Sequence, residues 1–256
     1  MKSSRIDDIE YKQKYVDSEH YINNVYQSKI IDNFLSNSEL AEFEKAANSD
    51  HIYYVKDVSM APMAKKLFGQ SEEDHVTAHY YIFASFYDNP AWSHLVDILQ
   101  PKLEQVFGSN IFASHIHVLE SHFPYGLHND AEQPNMIIAP EPAWTLIIPL
   151  DDYPSKTYVF NERSGFKDPR TWANHYNISP AEYGCIDDET FSKDFDPITD
   201  PDMLKYLTVE SIFHWKKGSC FAADRYRYHC SDNFYNHGIN CKRAIIMWTS
   251  IKKDSV

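Results

Sequence analysis

Glycine is scarce in this chain, cysteine scarcer, and basic charge is outnumbered. There are 7 Gly and 4 Cys in 256 residues, with 24 Lys and Arg against 37 Asp and Glu, a net charge of −13. The acidic balance removes the generic basic footprint that a nucleic-acid backbone requires, so nucleic acid is not expected as a partner. Cys185, Cys220, Cys230 and Cys241 contain no Cys-x-x-Cys pair and are too sparse for a disulfide scaffold. Reduced thiols in a cytoplasmic protein are the simplest account. The opening residues Met1–Asp8 lack the apolar core of a signal peptide, and no later run reaches membrane-spanning length, so no membrane partner is expected. The sequon at Asn177 is read as chance in that setting.

What is present is aromatic. Aromatic residues make up 15% of the chain and hydrophobic residues 43%, enough for one domain with a sizeable core. The pattern predicts a strand within Val25–Leu35, then a helix through residues 39–47 capped by Ser36 or Ser38. A short helix is allowed in residues 1–24. A strand follows at His79–Tyr87, and an amphipathic helix at Trp92–Phe107 that Pro101 should bend or split. Beyond it lie strand candidates at Ile111–His122, Met136–Ile138, Trp144–Leu150, Thr157–Phe160, Ile212–Ala223 and Arg243–Ile251. Short strands between Asp, Pro, Asn and Gly clusters suggest a barrel or sandwich. Residues 161–211 lack a clear period and read as an insertion, either a lid over a substrate or a solvated excursion. For a lid, Trp172, Tyr176 and Tyr183 are the aromatics available to close over a ligand.

The stretch His128-Asn129-Asp130 carries the chemistry. A His and an Asp two apart on extended backbone point the same way, because strand side chains alternate. With one more His they make the 2-His-1-carboxylate face of non-heme iron oxygenases. A lone His-x-Asp is more often a polar loop, so the rest of the chain has to supply a third ligand. Of His175, His214, His229 and His237, His229 has the best setting, beyond the turn and strand Lys217–Asp224. Arg243 then enters an apolar strand, where an arginine either snorkels to solvent or meets an anion inside. Lys242 is the alternative, since moving one residue along a strand reverses the face. A rival metal pair is His115 with His117, which with Glu120 resembles a cupin site.

In order, His128-x-Asp130, His229 and Arg243 resemble the Fe(II)/2-oxoglutarate-dependent dioxygenases, particularly the prolyl-hydroxylase-like and phytanoyl-CoA-hydroxylase-like branches. Lys29–Ser36, Trp144–Leu150 and Lys216–Phe221 look like that family's opening strand, the strand after the His-x-Asp loop and the strand before the distal His. The resemblance spans about residues 25–251. It implies a mainly β double-stranded β-helix (jelly-roll) with flanking helices. That would be a single domain over 1–256, with an N-terminal strand and helix support at 1–110, a jelly-roll core at 111–251 and the insertion or lid at 161–211. It further implies Fe(II) held by His128, Asp130 and His229, 2-oxoglutarate gripped by Arg243, and O2 as oxidant. The expected activity is hydroxylation of a small-molecule or amino-acid/peptidyl substrate, releasing succinate and CO2. Two features depart from the family pattern: the long gap from Asp130 to His229, and Ile245 where many members carry Ser. Asp130 argues against halogenation. A cupin-like metalloenzyme without 2-oxoglutarate, and an inactive jelly-roll binding protein, remain as alternatives.

Overall fold

The computed structural model describes residues 27–47, 78–81, 93–130, 144–180 and 186–251. The expectations for residues 1–24, for Met136–Ile138, for Tyr183 and for residues 82–87 lie outside these. Nine strands form two antiparallel sheets among the described residues. They are β1 (Lys29–Ile31), β2 (Ala78–Tyr81), β3 (Ile111–Ser121), β4 (Trp144–Pro149), β5 (Lys156–Arg163), β6 (Val209–His214), β7 (Cys220–Asp224), β8 (Arg227–Ser231) and β9 (Lys242–Ile251). The larger sheet runs β1-β7-β4-β9-β3-β2 and the smaller runs β6-β5-β8.

Alternation decides which layer each side chain joins. On β9, Ile245 and Met247 join a cluster with Leu40, Phe43, Leu95, Leu99 and Leu103, which come from two helices. Their neighbours Ala244 and Ile246 face the other way, into a cluster with Ile147, Phe221, Val159, Phe213 and Trp215. That second cluster lies between the two sheets and is the barrel interior. The helices are α1 (Asn37–Ala47) and α2 (Ser93–Phe107). Strand β4 is buried at all six positions because it lies mid-sheet between β7 and β9, with helices on one face and the small sheet on the other. Hence its apolar run does not alternate.

Local signals agree with this layering. Ser36 Oγ accepts from Glu39 N (3.3 Å) and Ser36 N donates to Glu39 Oε2 (2.7 Å), a reciprocal cap that starts α1. Pro101 lies within α2 without splitting it, since Leu95, Leu99 and Leu103 bury one continuous stripe. The expected strand Ile212–Ala223 is instead two strands in different sheets. The cause is Gly218, at φ +70°, where an added Cβ would sit 2.6 Å from the Leu35 carbonyl oxygen. Only glycine fits a left-handed turn packed that closely.

The 161–211 segment packs under the small sheet. Phe195, Leu204 and Leu207 bury against Tyr158, Phe160, Tyr228 and Cys230 on its outer face. Within the segment, helix α3 (Pro169–Tyr176) starts at the Asp168 cap, and Trp172 and Tyr176 lie on it.

Candidate metal centre

The His-x-Asp loop is tied by main chain to the end of the small sheet. His128 N donates to His229 O (3.0 Å) and His229 N to His128 O (2.8 Å), so the two histidines face each other as an isolated bridge. Asp130 N donates to Arg225 O (2.9 Å). Between them, Asn129 turns outward and its amide donates to the carbonyls of Ser164 (2.8 Å) and Phe166 (2.9 Å). At Gly126 an added Cβ would lie 3.1 Å from the Ile198 carbonyl oxygen, so the segment's backbone presses against the foot of the loop.

This framework brings one ligand atom each from His128, Asp130 and His229 within 4.8 Å of one another. The ring centroids of the histidines are 4.3 Å apart, and His229 Nε2 is 3.7 Å from Asp130 Oδ2. Each imidazole points its Nδ1 at a backbone carbonyl, of Gly126 for His128 (2.7 Å) and of Arg227 for His229 (3.1 Å). An Nδ1–H donating there leaves both Nε2 lone pairs directed at the shared space, the state a metal needs. Burial pushes the pKa of His128 down to about 4, with the facing His229 adding to the effect. Burial works against the Asp130 carboxylate, yet His229, His128 and the Thr145 hydroxyl together hold its pKa below the ordinary value. Thr145 Oγ1 donates to Asp130 Oδ2 at 2.5 Å. Two imidazoles and one carboxylate converging on one shared space fit a divalent iron.

The other predicted site residue is not in this interior. Arg243 lies directly across from Glu120 on β3, on the face of β9 that carries Ile245 and Met247 toward the helices. The residue before it faces inward. Lys242 is 2% exposed, and its Nζ donates to Ser155 Oγ and Ser231 Oγ, both at 2.8 Å. The ammonium also sits 4.0 Å from the centre of the Trp215 ring. Burial lowers its pKa to about 7, opposed by Asp232. Ser231 and His229 share one face of β8 two residues apart, about 7 Å along the strand. The interior face of β8 therefore carries the metal-ligand candidate His229 and, two residues on, the Ser231 hydroxyl that holds the Lys242 ammonium. Arg243, expected at the cosubstrate end, thus lies one residue along β9 from the inward-facing cation, on the opposite face.

Of the rival cupin-like residues, His117 and Glu120 lie on opposite faces of β3. His117 packs against Trp248 inside the barrel (ring centroids 5.0 Å), whereas Glu120 bonds His122 Nε2 (2.8 Å) on the helix-side face. Thr145, Asn129 and Arg225 carry no sequence signal of their roles. An uninterrupted apolar strand gives no sign of which face Thr145 occupies, and the other two act through loop geometry.

No family model matches the sequence, and no curated protein matches it. Solved structures do. The α-ketoglutarate-dependent carbocyclase SnoK from nogalamycin biosynthesis is 14% identical over 91% of this chain and 84% of its own (TM-score 0.52). The epimerase SnoN from the same biosynthesis is 13% identical over 88% and 77% (TM-score 0.52). HygX from Streptomyces hygroscopicus, solved with nickel, 2-oxoglutarate and hygromycin B, is 11% identical over 92% and 86% (TM-score 0.51). The chain thus has the fold of non-heme α-ketoglutarate-dependent enzymes. Among the described residues no helix is long and apolar enough to cross a membrane.

Proposed function

We propose that this protein is an Fe(II)- and 2-oxoglutarate-dependent oxygenase of the prolyl-hydroxylase-like or phytanoyl-CoA-hydroxylase-like kind. In this reading it hydroxylates a small-molecule or amino-acid/peptidyl substrate and releases succinate and CO2. The observation that carries the proposal is the convergence of His128, Asp130 and His229 within 4.8 Å, each imidazole tied back through Nδ1. The fold shared with SnoN, SnoK and HygX supports it, and two of those act in making one natural product.

Bound iron with 2-oxoglutarate and O2 supplies the oxidative decarboxylation and the substrate oxidation. The chain's residues do the rest. His128, Asp130 and His229 would hold the metal, and the Thr145 hydroxyl engages one Asp130 oxygen. Lys242, in place of the expected Arg243, receives the distal carboxylate. Its two hydroxyl partners use two of three N–H bonds, and the nearest protein carboxylate, Asp232, lies at 3.8 Å, beyond hydrogen-bond reach. A lysine binds as a point charge and makes one strong contact where an arginine fork makes two. The serines compensate by presenting hydroxyls beside it. The interior wall of Val159, Phe213, Phe221 and Ile246 would exclude water from the site.

An anaerobic titration with Fe(II) and 2-oxoglutarate tests this. A weak visible charge-transfer band is expected, absent in Asp130→Ala and His229→Ala. A band that survives both substitutions but vanishes in His117→Ala favours the cupin-like reading instead. Succinate release in air separates an enzyme from an inert barrel.

A further inference from the structure

Beneath Lys242 runs a row of polar groups, buried apart from the half-buried His237, that metal binding does not require. Asp232 is fully buried and accepts from Ser155 Oγ (2.6 Å) and Lys156 N (2.8 Å). His237 Nε2 lies 3.4 Å from Asp232 Oδ2 and 3.3 Å from Asp194 Oδ1, so one ring nitrogen stands between two carboxylates. Asp194 is equally buried and belongs to the 161–211 segment; it receives Lys156 Nζ (2.7 Å) and the Tyr158 hydroxyl. The row Lys242–Ser155–Asp232–His237–Asp194 thus crosses the small sheet from the barrel interior to the insertion outside. Asp194, Asp232 and His237 are close enough to suggest a cation site. Two ammonium groups, of Lys156 and Lys242 at 2.7 and 3.8 Å, already balance the carboxylates.

Ser155 is the pivot. Its hydroxyl hydrogen goes to Asp232, which turns its lone pairs toward Lys242. Resting on the 2-oxoglutarate reading above, we propose that Asp232 is the positioning residue for Lys242. His237 and Asp194 extend that control to the insertion, so that docking of residues 186–207 sets affinity for the distal carboxylate of the keto acid. Removing the Asp232 charge leaves burial acting on Lys242 against a weaker opposition. The charged and titratable groups around the row are Asp232, Asp194, His237, Lys156, Tyr158 and Cys230. Of these, only Asp232 and Cys230 act directly on the lysine.

The test compares two keto acids in anaerobic titrations of the full-length Fe(II)-loaded protein on either side of neutral pH. 2-Oxoglutarate has the distal carboxylate, whereas 2-oxobutyrate keeps the chelating end and lacks it. Asp232→Asn is expected to move the onset of the alkaline weakening of 2-oxoglutarate about one pH unit lower, and so to weaken it by up to about tenfold on the alkaline side, the two being the same free energy. Binding of 2-oxobutyrate should stay unchanged. Asp194→Asn should act in the same direction by about threefold. It lies outside the pocket and keeps the test decisive if Asp232→Asn does not fold. Equal weakening of both acids, or unchanged 2-oxoglutarate binding in both variants, overturns the proposal. Wild-type protein that binds neither acid instead sinks the cosubstrate reading, and this inference with it.

Discussion

The two ends of the barrel interior are built by different means. At the ligand end, main chain carries most of the geometry: the His128–His229 bridge, the Asp130–Arg225 bond and the two Nδ1 contacts hold the ligand side chains, with the Thr145 hydroxyl added on Asp130. At the Lys242 end, side chains carry the geometry, through Ser155, Ser231, Asp232 and the His237 relay. Main-chain geometry tolerates substitution of its neighbours. A buried ionic row does not, because removing one member leaves another uncompensated.

The comparison can be broken from either side. The largest effect is expected from His229→Ala or Asp130→Ala. Loss of iron binding should exceed the ~10–100-fold cost typical of a supporting partner, read by metal titration. Next comes Lys242→Met, which should raise the KM for 2-oxoglutarate by roughly 30-fold or more, on the order of 2 kcal/mol or above for a buried charge contact. Arg243→Met should change it less than about twofold, because exposed and half-exposed charges contribute little. Reversed magnitudes for these two would return the anchor to Arg243. Thr145→Val should weaken iron binding about tenfold and leave 2-oxoglutarate's distal contact untouched.

A further effect is one of pH. Lys242 must be charged to hold a carboxylate, and with its pKa lowered to about 7 by burial the free protein loses that charge as pH rises through neutrality. Affinity for 2-oxoglutarate should be full below that point. Above it, affinity should fall by up to about tenfold per pH unit, since binding must restore the proton. Lys242→Arg, whose guanidinium stays charged, should flatten the profile. A flat wild-type profile would sink the assignment of Lys242.

Much of the framework is legible in residues alone. The reciprocal Ser36–Glu39 cap, the α2 stripe of Leu95, Leu99 and Leu103, and the strands around residues 111–121 and 144–150 follow from local pattern and period. His128 and Asp130 are a short-range signal as a pair on extended backbone; His229 is one of four candidates, and its place beside them comes from the order of motifs that resembles a known family. Parity is not legible. Lys242-Arg243 offers two cations at consecutive positions, and nothing local says which one faces inward. The split of Ile212–Ala223 into two sheets is likewise hidden, because the glycine that allows it needs the Leu35 carbonyl to make it obligatory.

By itself, then, the sequence determined most of the segments that extend or coil and the pairing of His128 with Asp130, since those follow from spacing within a few residues. Only the tertiary structure decided the face of β9, the seat of the insertion under the small sheet and the buried row ending at Asp194. Each depends on groups far apart in the chain, Asp194 and Asp232 with His237 for one, whose burial is set by packing of whole layers.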